Sequence, residues 1–143
     1  MAGNNLAFFG SGVLTTTQYP NPFTVGLNSF TGSVGRGIAY DPTGLQVRID
    51  DNSGAPFTVP VADTTFDRFD LLVIRYKAVG KTQIPEPDLP TQNTWLNITD
   101  GYEVAVITGT PSANPTYPAK GSLDIILGGL SVPRGTLAPT FDQ

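Results

Sequence analysis

Phe69-Asp70-Leu71-Leu72-Val73-Ile74-Arg75-Tyr76 is the most apolar segment of the chain, and it points to the fold class. Four aliphatic residues stand in a row, and no 3.6-residue apolar period continues from them in either direction. A short continuous apolar run of this kind predicts a strand buried on both faces, hence one in the middle of a sheet. Upstream, Leu45-Gln46-Val47-Arg48-Ile49-Asp50 alternates strictly, with Leu45, Val47 and Ile49 predicted inward. Asp51-Asn52-Ser53-Gly54 is a turn signal, and Phe57-Thr58-Val59-Pro60-Val61 alternates again with Phe57, Val59 and Val61 inward. The two alternating runs read as a hairpin. Pro60 has no N–H for a ladder, so its strand lies at an edge or ends there.

Downstream, Lys77 to Asn93 reads as a long polar connection around Ile84-Pro85-Glu86-Pro87-Asp88-Leu89-Pro90, extended and polyproline-like. Thr94 to Ile98 is a short strand, and Asp100-Gly101 a turn. Tyr102 to Thr108 alternates, with Tyr102, Val104 and Val106 on one face. Gly109 to Lys120 is a second Pro-rich loop, Ser122 to Leu127 and Leu130 to Val132 are strands, and Pro133 to Gln143 reads as a tail. The expected fold is all-β: a single β-sandwich or small barrel of about seven or eight short antiparallel strands with an extended N-terminal arm. The expected organisation is an uncharged arm or first strands over 1–35, a β domain over 36–135 and a tail over 136–143.

Composition agrees with a turn-rich β protein. Of 143 residues, 16 are Gly and 13 are Pro, and only 14% are charged, against a usual ~25%. The net charge is −4, with eight Lys and Arg. So few cations make the chain a poor partner for nucleic acid, whose phosphates need clustered positive charge. There is no Cys and no His. That removes thiolate nucleophiles, imidazole bases, Ser-His-Asp triads and the common zinc, iron–sulfur and transition-metal sites, and no cofactor is expected. The longest apolar runs are four residues, far below the ~20 needed to span a bilayer, so no membrane insertion is expected.

The charge is also unevenly placed. Between Ala2 and Gly35 no side chain is charged, yet the stretch holds Leu6, Phe8, Phe9, Val13, Leu14, Tyr19, Phe23, Val25, Leu27 and Phe30. A solvated tail is normally charged. Two readings stand: these are the first strands of the domain, or they form an extended arm lying on a neighbouring subunit. On the second reading Phe8, Phe9, Leu14, Tyr19 and Phe23 are the candidate interface residues.

No motif carries a specific chemistry. Asp50-Asp51-Asn52-Ser53-Gly54 lacks the spacing and terminal Glu of a calcium loop, so it is read as a turn. Asp63, Asp67 and Asp70 surround Arg68, but paired-carboxylate hydrolysis needs a set separation across a cleft, and local turn bonds are the plainer reading. Gly32-Ser33-Val34-Gly35-Arg36-Gly37 is glycine-dense without the G-x-G-x-x-G spacing. Trp95, Tyr40, Tyr76 and Tyr117 are candidates for stacking on sugar rings, or are core and interface residues. Asn97-Ile98-Thr99 matches a glycosylation sequon, which matters only in a eukaryotic secretory pathway. Arg68 and Asp70 share one face of their strand while Phe69 points to the other, and Arg68 is expected to anchor a neighbouring loop.

From about Gly35 onward the chain resembles a class of small β domains in structural proteins of tailed bacteriophages, found in baseplate and tail-fibre proteins. Three segments carry the likeness: Gly37-Ile38-Ala39-Tyr40-Asp41-Pro42-Thr43-Gly44, taken as a turn before a strand; Asp67 to Tyr76; and Tyr102 to Pro111 leading into Ser112-Ala113-Asn114-Pro115. The Leu123 to Leu127 strand and the Val132-Pro133-Arg134-Gly135 turn sit where such domains close. Residues 1–30 have no counterpart, and Lys77 to Asn93 stands as an insertion. The resemblance implies a non-enzymatic virion subunit of tail, baseplate or fibre-attachment type, assembled in the bacterial cytoplasm. It implies a trimer or hexamer docking on other virion proteins, and supplies no catalytic residue; on this reading the subunit assembles through its N-terminal arm and its Pro-rich loops. A capsid-surface decoration or head-fibre protein, and a module recognising host-surface glycan, are the alternatives.

Overall fold

The computed structural model describes residues 12–79, 82–86, 89–96 and 99–143, with side chains described over 12–77 and 101–143. It is all-β, with antiparallel strand pairing throughout and no helix among the described residues. The central run is β7 (Arg68–Val79), flanked by β10 (Thr99–Ile107) on one side and β11 (Ile125–Val132) on the other, with β12 (Thr140–Asp142) beyond β11. Leu71, Leu72, Val73 and Ile74 are all buried, because both faces of this strand are covered. Leu72 and Ile74 enter the main core. On the opposite face, Phe69 stacks on Tyr117 of the Pro-rich loop at 4.9 Å between ring centroids.

The rest of the core is closed by two small sheets. In one, β4 (Gly37–Tyr40) lies between β1 (Gly12–Leu14) and β5 (Gln46–Ile49); in the other, β3 (Thr31–Val34) lies between β2 (Val25–Asn28) and β6 (Ala55–Thr58). Val47, Ile49, Phe57 and Val59 are buried as their alternation demands, and they pack with Phe23, Val34, Leu72, Ile74, Leu130 and Val132 in a single cluster. Leu45 and Val61, at the ends of the two alternating runs, are 44% and 76% exposed instead of inward. The arrangement is therefore a four-stranded sheet whose inner face packs on two three-stranded sheets.

Several expectations need correction. The runs 45–50 and 57–61 are not a hairpin: β5 pairs with β4, and β6 pairs with β3. The turn itself is real, with Gly54 at φ +74 and its N–H donating to the Asp51 carbonyl, but it carries the chain from one sheet into another. Alternation specifies which face of a strand is buried and leaves its partner open. The Lys77–Asn93 connection is not a loop. β7 runs on to Val79, and β8 (Thr82–Glu86) pairs with β9 (Leu89–Leu96) in a two-stranded ribbon. Pro85 is tolerated opposite Asn93 because each strand of a two-stranded ribbon has an outer edge that needs no N–H.

Residues 37–40 form a strand, and the turn follows at 41–44. The strands expected at 122–127 and 130–132 are one, β11, with a bulge between Ile126 and Gly128. The bulge, with Leu127 as its extra residue, explains the change of parity, since Ile125 faces the core before it and Leu130 and Val132 after it. The C-terminal residues are not simply a tail, since β12 pairs with β11.

The N-terminal stretch forms part of the folded body from Gly12 onward. Leu14, Tyr19 and Phe23 are buried inside the chain, with Phe23 only 2% exposed in the main core. These three are therefore packing residues, and burial against their own sheets withdraws them from any surface. Phe8 and Phe9 lie outside the described residues. Phe23 adopts φ +54, a conformation rare for an aromatic residue, and the Arg36 carbonyl accepts its N–H at 2.8 Å. Gly37 leaves room for it: a Cβ there would stand 2.9 Å from the Phe23 ring.

Candidate functional site

The carboxylates flanking β7 are engaged locally. Asp70 is fully buried, and its Oδ1 accepts from Arg68 Nε at 2.9 Å and from the Gly109 N–H at 2.8 Å. Arg68 in turn donates to the carbonyls of Val61 and Pro60. One ion pair thus ties the β6–β7 connection and the exit of β10 to the central strand. Gly109 is required there, because a Cβ would lie 2.0 Å from the Phe69 carbonyl oxygen. Asp63 accepts from the backbone N–H groups of Thr65 and Phe66 at 2.7 and 2.8 Å. The Phe66 N–H foremost, then that of Thr65, lowers the Asp63 pKa by stabilising the charged form. Asp67 Oδ1 accepts the Arg134 N–H. No three metal-ligating side chains gather among the described residues.

The turn 50–54 behaves likewise. Asp51 Oδ1 accepts from both the hydroxyl and the N–H of Ser53, and these two bonds hold its pKa below the ordinary value. Asp50 is half-exposed and also engaged locally: it receives the Tyr19 hydroxyl and pairs with Arg48, while the Arg36 guanidinium lies 5.2 Å over the Tyr19 ring.

The surface that stands out is an open groove of about 740 Å3 lined by Val13 of β1, Val25 of β2, Phe141 of β12 and the Pro20–Thr24 turn. Among the described residues no lining side chain is charged. Among the described residues each of those three strands is the last in its own sheet, so three strand edges converge on one depression without a charged side chain. Free edges present unpaired N–H and C=O groups and are templates for pairing with another chain.

No family model, curated protein or solved structure matches this chain.

The uncharged N-terminal run supplies most of the groove's lining, but not through the residues expected at an interface. Leu14, Tyr19 and Phe23 turn inward, whereas Val13 is 37% exposed at the groove. Phe141 had no sequence signal, since only the β11–β12 pairing brings it beside β2. Of the aromatics considered for sugar stacking, Tyr117 is occupied by Phe69, and Tyr40 accepts from the Gln46 side chain. The Trp95 side chain lies outside the described ones.

Proposed function

We propose that this protein is a non-enzymatic structural subunit of a tailed-phage particle, of tail, baseplate or fibre-attachment type, that assembles by docking an extended segment into the groove between β1, β2 and β12. The observation that carries the assembly reading is the convergence of three strand edges on a surface without charge. The phage assignment rests on the resemblance of the segments beginning at Gly37, Asp67 and Tyr102. The docking segment is the uncharged run before β1 of a neighbouring copy, which holds Leu6, Ala7, Phe8 and Phe9. Apolar side chains and main-chain hydrogen bonds would supply the contact, a mode that tolerates a lack of charge complementarity.

The test is the solution mass of the chain by light scattering, with deletion of residues 2–11 and with Val13→Asp. A deletion as far as residue 30 is unsuitable, because it would strip β1, β2 and the buried Phe23 from the fold. The wild type is expected to associate and both variants to run as folded monomers. A wild type that stays monomeric at every concentration, or variants that associate like the wild type, would refute self-docking.

A further inference from the structure

A second surface is built at the opposite kind of place, where the start of β7, the exit of β10 and the end of β11 come together. A depression of about 310 Å3 is lined there by Thr65, Phe66, Asp67, Ser112, Ala113 and Arg134. Three separate loops form it, and they are fastened to one another. The Ser112 N–H donates to the Asp67 carbonyl at 3.1 Å, the Arg134 N–H donates to Asp67 Oδ1 at 2.8 Å, and the Gly135 N–H donates to the Asp63 carbonyl at 2.8 Å. Asp63 Oδ1 fixes the Thr65–Phe66 turn through its two backbone bonds.

The fastening leaves a specific set of groups facing water. Phe66 is 44% exposed although its backbone is held on both sides. The Arg134 side chain is exposed, and no hydrogen bond or ion pair engages its guanidinium among the described residues. Asp67 is exposed with Oδ2 available as an acceptor, and Thr65 and Ser112 add hydroxyls. An apolar ring, a fork of donors, an acceptor carboxylate and two hydroxyls thus surround one shallow site. The positive and negative side chains balance, so the site favours a neutral ligand that both donates and accepts hydrogen bonds. It also favours a ligand with one flat apolar face.

We infer that the Phe66–Asp67–Ser112–Arg134 depression binds a neutral pyranose sugar. The aliphatic C–H face of the ring would lie on Phe66, Asp67 would accept from a pair of adjacent hydroxyls, and Arg134 would donate to a ring or hydroxyl oxygen. Loops already held in place lose little entropy on binding, which lets a shallow site retain a small ligand. The aromatic platform here is Phe66 and not any of Trp95, Tyr40, Tyr76 or Tyr117. The inference does not depend on the groove or on assembly.

The experiment is titration of the full chain with the methyl pyranosides of glucose, galactose and mannose, followed by amide chemical shifts. Sodium glucuronate serves as the charged comparison. At least one neutral glycoside should bind with a dissociation constant on the order of 1 mM, moving the amides of residues 65–67, 112–113 and 134–135. Phe66→Ala and Arg134→Ala, both at exposed positions, should each weaken binding about tenfold or more, with the remaining amide spectrum unchanged. Four results would overturn the inference: no shift with any glycoside at 50-fold that concentration, shifts located elsewhere, shifts insensitive to both substitutions, or binding of glucuronate alone.

Discussion

Removing one member of the Arg68–Asp70 pair tests how the domain is held together. Both side chains are almost fully buried, at 5% and 0% exposure. In Asp70→Ala the Arg68 guanidinium keeps the Pro60 and Val61 carbonyls but loses its counter-charge, and the Gly109 N–H loses its acceptor. Leaving one buried charge uncompensated costs about 3–5 kcal/mol. Unfolding entropy near the midpoint is about 2.1 cal/mol/K per residue. For 143 residues, the loss therefore lowers the thermal midpoint by about 10–17 °C. Total stabilities of about 5–15 kcal/mol make this a large fraction of the whole.

The assay is urea denaturation followed by Trp fluorescence and far-UV circular dichroism, applied to Asp70→Ala, Arg68→Met and the double variant. The double variant should be less destabilised than the two single losses added together, with a coupling of about 1–3 kcal/mol, because it removes both charges at once. It should not recover fully, since the carbonyls of Pro60 and Val61 are left without Arg68. A single-variant cost below about 1 kcal/mol, or losses that simply add, would refute the view of Arg68–Asp70 as one coupled node.

Other outcomes follow from the same geometry. Gly109→Ala should destabilise strongly, because a Cβ 2.0 Å from the Phe69 carbonyl oxygen forces the β10 exit off β7; an unchanged urea midpoint would contradict it. Tyr117→Ala should cost about 0.5–1.5 kcal/mol from the Phe69 stack beyond the area it exposes, and near-UV circular dichroism should lose aromatic signal. Phe23→Ala should cost about 3–5 kcal/mol, with no relief at the positive φ because Ala keeps a Cβ, as measured by the urea midpoint. Asp63 has a folded-state pKa below its unfolded one. Its stabilising contribution is therefore present above the unfolded value and lost as pH falls through the folded value. Asp63→Ala should accordingly flatten the acid limb of stability against pH, and identical wild-type and variant slopes below pH 5 would count against the turn.

Much of the fold was legible in local patterns, and the exceptions have physical causes. The Leu71–Ile74 run encodes burial on both faces, and a strand with two covered faces must have neighbours on both edges. The inward positions Val47, Ile49, Phe57 and Val59 were legible because alternation maps directly onto the pleat. The partners of β5 and β6 were not, since neighbouring runs with the same alternation can pair with each other or cross between sheets. Proline content misled at Lys77–Asn93: it excludes helix and central strand, yet leaves an edge ribbon allowed. The groove was half legible, as an uncharged stretch, but aromatic residues without charge are equally suited to a core and to an interface. Phe66 carries no signal in its own stretch of sequence, because its exposure comes from three loops that meet only after β7, β10 and β11 align.

Residue type and short-range spacing are enough for the all-β class, the central strand, the inward faces of its neighbours and the absence of cysteine and histidine chemistry. Those properties depend on residue type and on spacing within a few positions. It takes the folded chain to make Leu14, Tyr19 and Phe23 core residues, to put β5 and β6 in different sheets, and to bring Asp67, Ser112 and Arg134 to one surface. These depend on contacts between distant segments, which are settled by the burial of the whole apolar set at once and are encoded in no single stretch of the chain.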